Sequence, residues 1–166
     1  MADLLECLAQ IKALAETAPR LAALVRLAPP EHWRARPAAD VWAPVEVLAH
    51  LADLELVYGA RLLAMLSAER PQLQAIDPAA LARRARYLER APEVEVDRFT
   101  VRRRDTLAVL SGCSAAELDR LGIHPRRGVI TVADLVAGML AHDTVHVGQI
   151  RQRLADAAGA PSQPEE

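Results

Sequence analysis

Apolar residues return every three or four positions along most of this chain, and prolines cut that rhythm into a few long segments. Such a period lines one face of a helix, whereas a strand alternates its side chains between two faces. Leu4, Leu5, Leu8, Ile11 and Leu14, followed by Leu21, Leu24 and Val25, predict a first helix from Leu4 to Leu27, with Pro19 threatening a kink midway. Pro29, Pro30 and Pro37 make the next stretch a loop that ends at Trp42-Ala43-Pro44-Val45-Glu46-Val47. There Pro44 suits the first helical position, Glu46 the third, and Trp42 can staple onto Val47, so a second helix should run from Pro44 to about Glu69. Asp77-Pro78 can cap a shorter helix reaching about Arg90, and after Pro92 a third long helix extends to Ser111, where Gly112 would stop it. Ser114 and Glu117 have capping-box spacing for one short turn, and Gly122 to Gly128 reads as a loop. Thr131, with Asp134 three residues on and Ile130 stapling onto Leu135, opens a last helix that should continue to about Ala157.

The fold class predicted is therefore all-α, a four-helix bundle with one short additional helix in the crossover between the second and third long helices. Composition agrees: in 166 residues, 52% are apolar and only 3% aromatic, so a continuous core would pack through Ala and Leu rather than through aromatic and β-branched sheet residues. No internal repeat or Gly/Ser linker divides the chain, which predicts one domain over residues 1–157 and a Pro-rich, acidic, disordered tail over 158–166.

The formal net charge is −2 and the basic residues are spread out, which argues against direct nucleic-acid binding. All of those basic residues except Lys12 are Arg, a bias better explained by GC-rich coding than by chemistry. Cys7 and Cys113 are isolated thiols that suggest neither a zinc ribbon nor a disulfide scaffold. The first twenty residues lack a basic segment followed by an apolar core, and no apolar run approaches the roughly 18 residues of a membrane span, so the expectation is a cytoplasmic protein with no membrane contact.

His142 and His146 stand four apart in His142-Asp143-Thr144-Val145-His146, well inside the last helix. Side chains at that spacing share a face, about 5–6 Å apart at Cβ, so two imidazoles can reach one ion. His50 lies in the first half of the second helix, where a crossing neighbour could bring it opposite the pair. Three neutral imidazoles suit Zn, Ni or Fe(II) and leave a position for water or substrate. Spacing alone leaves a second reading open, because His50 among Leu48, Ala49 and Leu51 also fits a hydrogen-bonded core histidine. A third reading takes H-D-x-x-H as a shortened metalloprotease motif with Asp143 as general base.

Three segments in this order resemble the DinB-like proteins, bacterial four-helix-bundle metalloproteins that include thiol-dependent transferases and isomerases. They are the run from Trp42 to Glu55, the run from Gly122 through Gly128 to Leu135, and the run from His142 to Ile150. The resemblance spans most of the chain from Trp42 to Leu154 and is carried by the three segments together. It implies that His50, His142 and His146 ligate one divalent metal with an open coordination position, and that the chain forms homodimers through helix faces. One departure is Ala43, where the family frequently has Ser before the proline, at a cost of about 1 kcal/mol in capping.

The activity implied is transfer of a low-molecular-weight thiol, such as mycothiol or bacillithiol, onto a small electrophilic substrate, since a divalent ion lowers the pKa of a bound thiol or water. Two alternatives stand beside it: a non-catalytic metal-binding stress-response accessory protein, and a metal-dependent hydrolase of small amides or esters. Arg61, Arg102 and Arg153 are candidates for holding cofactor carboxylates, and Asp53 and Asp143 for orienting a ligand imidazole. Tyr58 is a candidate proton donor, His124 a candidate at the pocket mouth, and His32 a loop residue.

Overall fold

A computed structural model describes residues 4–159. The long helices form where the spacing places them, and the first is broken in two, α1 (Leu4–Ala15) and α2 (Thr17–Leu27). The break falls at Glu16, three residues ahead of Pro19. Proline has no N–H to give to the carbonyl four residues back, which here is Ala15, and its ring crowds that carbonyl; the helix therefore ends at Ala15 and restarts, with Pro19 in its first turn.

After a 3₁₀ turn at Pro30–Arg34, α3 (Pro44–Ser67) begins with Pro44 in its first turn. Ala43 has no side-chain oxygen to cap it, so only half of the capping box exists: the Ala43 N–H donates to Glu46 Oε2 at 2.8 Å. Arg36 holds that carboxylate in place with Nε and Nη2 at 2.9 and 2.6 Å. In the crossover, α4 (Pro78–Arg84) is capped by Asp77, which accepts from the N–H groups of Ala79 and Ala80. It stops short of the expected Arg90 because Arg86 turns left-handed, at φ 52°, into a 3₁₀ turn over Tyr87–Glu89. Next come α5 (Pro92–Ser111) and the single turn α6 (Ala115–Leu118), the latter with both halves of its capping box made.

The segment from Gly122 to Gly128, expected as a loop, is a β-hairpin: β1 (Leu121–His124) pairs antiparallel with β2 (Gly128–Thr131). Its tip, Pro125-Arg126-Arg127, ends on Gly128 at φ 71°, the left-handed residue that three-residue hairpin loops require. Tertiary contacts hold this short ribbon, since Ile123 donates to the Pro71 carbonyl at 2.8 Å and accepts from the Leu73 N–H at 2.9 Å. Gly122 lets β1 lie against α3, for a Cβ there would meet Met65 Cγ at 2.9 Å. Thr131 then caps α7 (Val132–Gly159) in the expected box, Asp134 N–H to Thr131 Oγ1 at 2.9 Å and Thr131 N–H to Asp134 Oδ2 at 2.8 Å. The helix carries residues 158 and 159, expected in a disordered tail; the remainder of that tail lies outside the described residues.

The bent α1–α2 helix, α3, α5 and α7 make the four-helix bundle, with α3 packed on both α5 and α7. Helices α3 and α7 run antiparallel, so Met65 shares an apolar cluster with Val136 and Met139 while Leu48 and Leu51 share another with Ile150 and Leu154. Between these two clusters lies a charged layer. Arg103 of α5 donates to Glu55 of α3 at 2.7 Å and to both oxygens of Asp143 of α7 at 2.6 and 3.2 Å. Thr17 of α2 completes Asp143 at 2.7 Å, and Arg103 reaches the Leu14 carbonyl at 2.9 Å. All four side chains are buried.

Candidate metal centre

Two helical stripes face each other across a pocket. On α3, His50, Leu54, Tyr58 and Arg61 follow one another at intervals of four, four and three, and all line it; on α7, His142 and His146 do the same. The antiparallel arrangement brings His50 opposite the α7 pair, with ring centroids 5.0 Å from His142 and 4.8 Å from His146. His142 and His146 are 4.3 Å apart. One ring nitrogen from each histidine can be chosen so that all three lie within 4.8 Å of one another.

The closest pair is Nε2 of His50 and Nε2 of His142, at 3.0 Å. Two nitrogens bound at about 2.0–2.1 Å to one ion stand roughly 2.9 Å apart at a right angle and 3.4 Å at the tetrahedral angle, so this pair suits a shared cation. Burial, reinforced by neighbouring His146, lowers the pKa of His50 to about 4, against a weaker opposing effect of Asp53. Burial, with His146 and His50 adding to it, takes His142 to about 3, and burial lowers His146 too. All three are thus neutral near pH 7, the form that offers a lone pair. His146 Nδ1 lies 2.9 Å from Gln149 Oε1; donation from Nδ1–H to that oxygen leaves the His146 Nε2 lone pair free. The donor set fits a divalent cation that accepts imidazole.

The pocket, about 410 Å³, is walled by Trp42, Leu54, Ile76 and Pro78 beside the histidines, and its mouth carries Arg61, His124 and Arg126. Tyr58 sits with its ring centroid 5.7 Å from that of His142, and burial raises its pKa, so its hydroxyl keeps its proton. Of the sequence candidates, His50, His142, His146, Tyr58, Arg61 and His124 therefore share one pocket. Others face elsewhere. Arg102 is bound to Asp53 Oδ1 at 3.0 Å and to the Ala52 carbonyl at 2.6 Å, so it holds nothing in the pocket. Asp53 is further taken by Arg90 at 3.2 Å, and neither it nor Asp143 hydrogen-bonds an imidazole. Asp143 cannot act as the general base of an H-D-x-x-H motif, because it is buried against Arg103 and Thr17 in the charged layer. Arg153 does not line the pocket, and His32 belongs to the 3₁₀ turn at Pro30–Arg34.

Two site residues escaped the sequence reading. Gln149 carried a signal, three residues after His146 and hence on the same face. Trp42, expected as a staple on Val47, packs its ring on His50 at 5.3 Å and on Tyr87 at 6.3 Å; nothing local marks that contact.

Residues 13–150 match the family model of the DinB superfamily. This chain belongs to the DinB superfamily. Among solved structures, YfiT from Bacillus subtilis, described as a probable metal-dependent hydrolase with an unusual four-helix bundle topology, superposes with a TM-score of 0.88 at 18% identity, over 97% of this chain and 92% of that one. The mycothiol-dependent maleylpyruvate isomerase, as its H52A mutant, aligns with a TM-score of 0.70 at 8% identity, over 91% of this chain and 67% of that one. A DinB-like protein, YjoA, also from Bacillus subtilis, gives a TM-score of 0.62 at 14% identity, over 94% and 96% of the respective chains. At these identities the likeness is one of fold. No curated protein matches this chain in sequence. Among the described residues no helix is long and apolar enough to cross a membrane.

Proposed function

We propose that this DinB-superfamily protein binds one divalent metal through His50, His142 and His146 and uses it to transfer a low-molecular-weight thiol onto a small electrophile. The observation that carries the reading is the convergence of three neutral imidazoles on the floor of an open pocket in which no carboxylate takes part. A divalent cation held there would supply acidity, lowering the pKa of a coordinated thiol or water so that a nucleophile exists near neutral pH. Gln149 fixes the His146 ring. Trp42 and Leu54 give an apolar wall that keeps water from the nucleophile, and Tyr58, protonated beside His142, can donate to the atom that gains charge as the electrophile opens or loses its leaving group.

A thiol whose proton passes to solvent in this way would need no further base, which suits a pocket where Asp143 and Asp53 are committed to arginines. Hydrolysis of a small amide or ester is the second reading, favoured by the similarity to YfiT, described as a probable metal-dependent hydrolase. The test begins with elemental analysis of untagged protein. Near-stoichiometric Zn, Ni or Fe is expected in wild type and is lost in His50→Ala and His146→Ala. Metal-loaded protein is then offered a panel of bacterial thiols with a haloarene or epoxide. A metal-dependent thioether product supports transfer; ester or amide turnover lost on chelation, with no thioether, replaces it with the hydrolase; metal-free wild type removes both.

A further inference from the structure

Several arginines of this protein pair with carboxylates: Arg36 with Glu46, Arg90 and Arg102 with Asp53, Arg98 with Glu95, Arg103 with Glu55 and Asp143. The mouth of the histidine pocket holds arginines that do not. Arg61 is 8% exposed, yet among the described residues no carboxylate pairs with it; one Nη2 donates to the Gln74 carbonyl at 2.6 Å and its buried Nε has no partner. A guanidinium that far from water, with one neutral acceptor, is a costly arrangement that a bound anion would relieve. Arg126, exposed at the hairpin tip, lines the same mouth and also has no carboxylate partner there.

His124 stands with them. Its Nδ1 accepts from the backbone N–H groups of Arg126 and Arg127 at 3.2 and 3.3 Å, so in the neutral ring the proton sits on Nε2, a third donor. The neutral ring is the favoured form: burial lowers the His124 pKa, and Arg61, Arg127 and Arg126 lower it further, a sign of how closely positive charge is gathered at this rim. The rim is built into the fold, because the hairpin that carries His124 and Arg126 is tied to the 71–73 segment, and Arg61 grips the next carbonyl of that segment. No Asp or Glu lines the pocket, while Trp42, Leu54, Ile76 and Pro78 make its walls apolar.

The geometry points to an oxyanion subsite formed by Arg61, Arg126 and His124, which selects for the pocket a small molecule with an apolar body and a carboxylate head. The carboxylate would lie in the mouth between guanidinium groups that give paired N–H donors, and the body would run inward along the apolar wall toward the histidines. Arg61 marks the distance, since its guanidinium carbon is 5.9 Å from the Tyr58 ring centroid and that ring in turn packs on His142. The inference rests on the proposed function for the identity of the reaction, whereas the binding itself needs no metal.

The test is calorimetric titration of the full-length chain, metal-free and metal-loaded, with 3-phenylpropionate, its neutral analogue 3-phenylpropionamide, and inorganic phosphate. The acid is expected to bind at least about tenfold tighter than the amide in both forms. Arg126→Ala, at an exposed position, is expected to remove most of that preference, and Arg61→Met the rest, with folding checked by circular dichroism. Raising the salt concentration should weaken the acid and leave the amide unchanged. Equal or absent binding of acid and amide overturns the proposal, as does a preference that survives both substitutions. A preference seen only with metal bound and indifferent to the arginines means that the carboxylate goes to the ion, which also overturns it. Phosphate binding as tight as the acid would show a site for free phosphate and overturn the choice of an apolar carboxylate. Wild type that takes up no metal yet prefers the acid would remove the proposed reaction and leave the subsite standing.

Discussion

His142 and Asp143 are neighbours on α7, and His50 and Glu55 lie little more than a turn apart on α3, yet each pair is divided between two different polar environments. Glu55 and Asp143 turn into the bundle and close a charged layer on Arg103, with Thr17 and the Leu14 carbonyl filling further places. Burial opposes the Arg103 charge, but hydrogen bonds to Glu55 and Asp143 outweigh it and hold the guanidinium more firmly protonated than usual. His50 and His142 turn to the pocket, where no opposite charge lines the wall and burial keeps them neutral. The groups that turn into the bundle are charged and paired with opposite charge, although Glu55 Oε1 and Arg103 Nε have no partner of their own; the histidines that face the pocket are neutral and have lone pairs to give. The charged layer specifies how four helices meet, and the histidine cluster exploits the result.

The comparison can be broken most severely from the charged side. Arg103→Met leaves two buried carboxylates without their cation and should cost about 3–5 kcal/mol, read as a fall in melting temperature and urea midpoint. The opposite side should respond in metal and hardly in stability: His142→Ala is expected to weaken metal binding by more than the ~100-fold typical of losing an outer partner, with melting of the metal-free protein almost unmoved. A large drop in melting temperature for His142→Ala would mean that the cluster is structural.

Acid should separate the two regions as well. Free histidine titrates near 6.5, whereas His50 and His142 titrate at about 4 and about 3 in the folded chain. Between those values the unfolded chain binds more protons than the folded one, so stability of the metal-free protein rises with pH from about 4 to 6.5 and is lost as pH falls. The change is on the order of 2–3 kcal/mol for each histidine, flattened in the His50→Ala/His142→Ala double variant and steepened by added metal. The smallest effect sharpens the comparison instead: Gln149→Leu, which removes only the acceptor at His146 Nδ1, should weaken metal affinity by about 10–100-fold and leave melting unchanged, as followed by competition with a chelating dye.

Much of the architecture was legible along the chain. Pro44, Pro78 and Pro92 each open a helix because a first-turn residue needs no N–H, and Asp77, Ser114 and Thr131 cap theirs because backbone donors at a helix start want an oxygen within three residues. The four-residue spacing of His142 and His146 puts them on one face whatever surrounds the helix. These are local rules, complete within a turn or two of chain.

What only the tertiary structure decided is which neighbour each face meets. Periodicity puts Asp143 on one side of α7 and its histidine neighbours on another, but the packing of α5 against α3 and α7 sends the carboxylate to Arg103. It is likewise the antiparallel pairing of α3 with α7 that sets His50 opposite the pair, and the docking of Ile123 on the 71–73 segment that turns an apparent loop into the hairpin carrying His124 and Arg126 to the pocket. Such contacts join residues far apart in sequence, and their free energy depends on burial and on partners supplied by another helix, quantities that no window of the sequence contains.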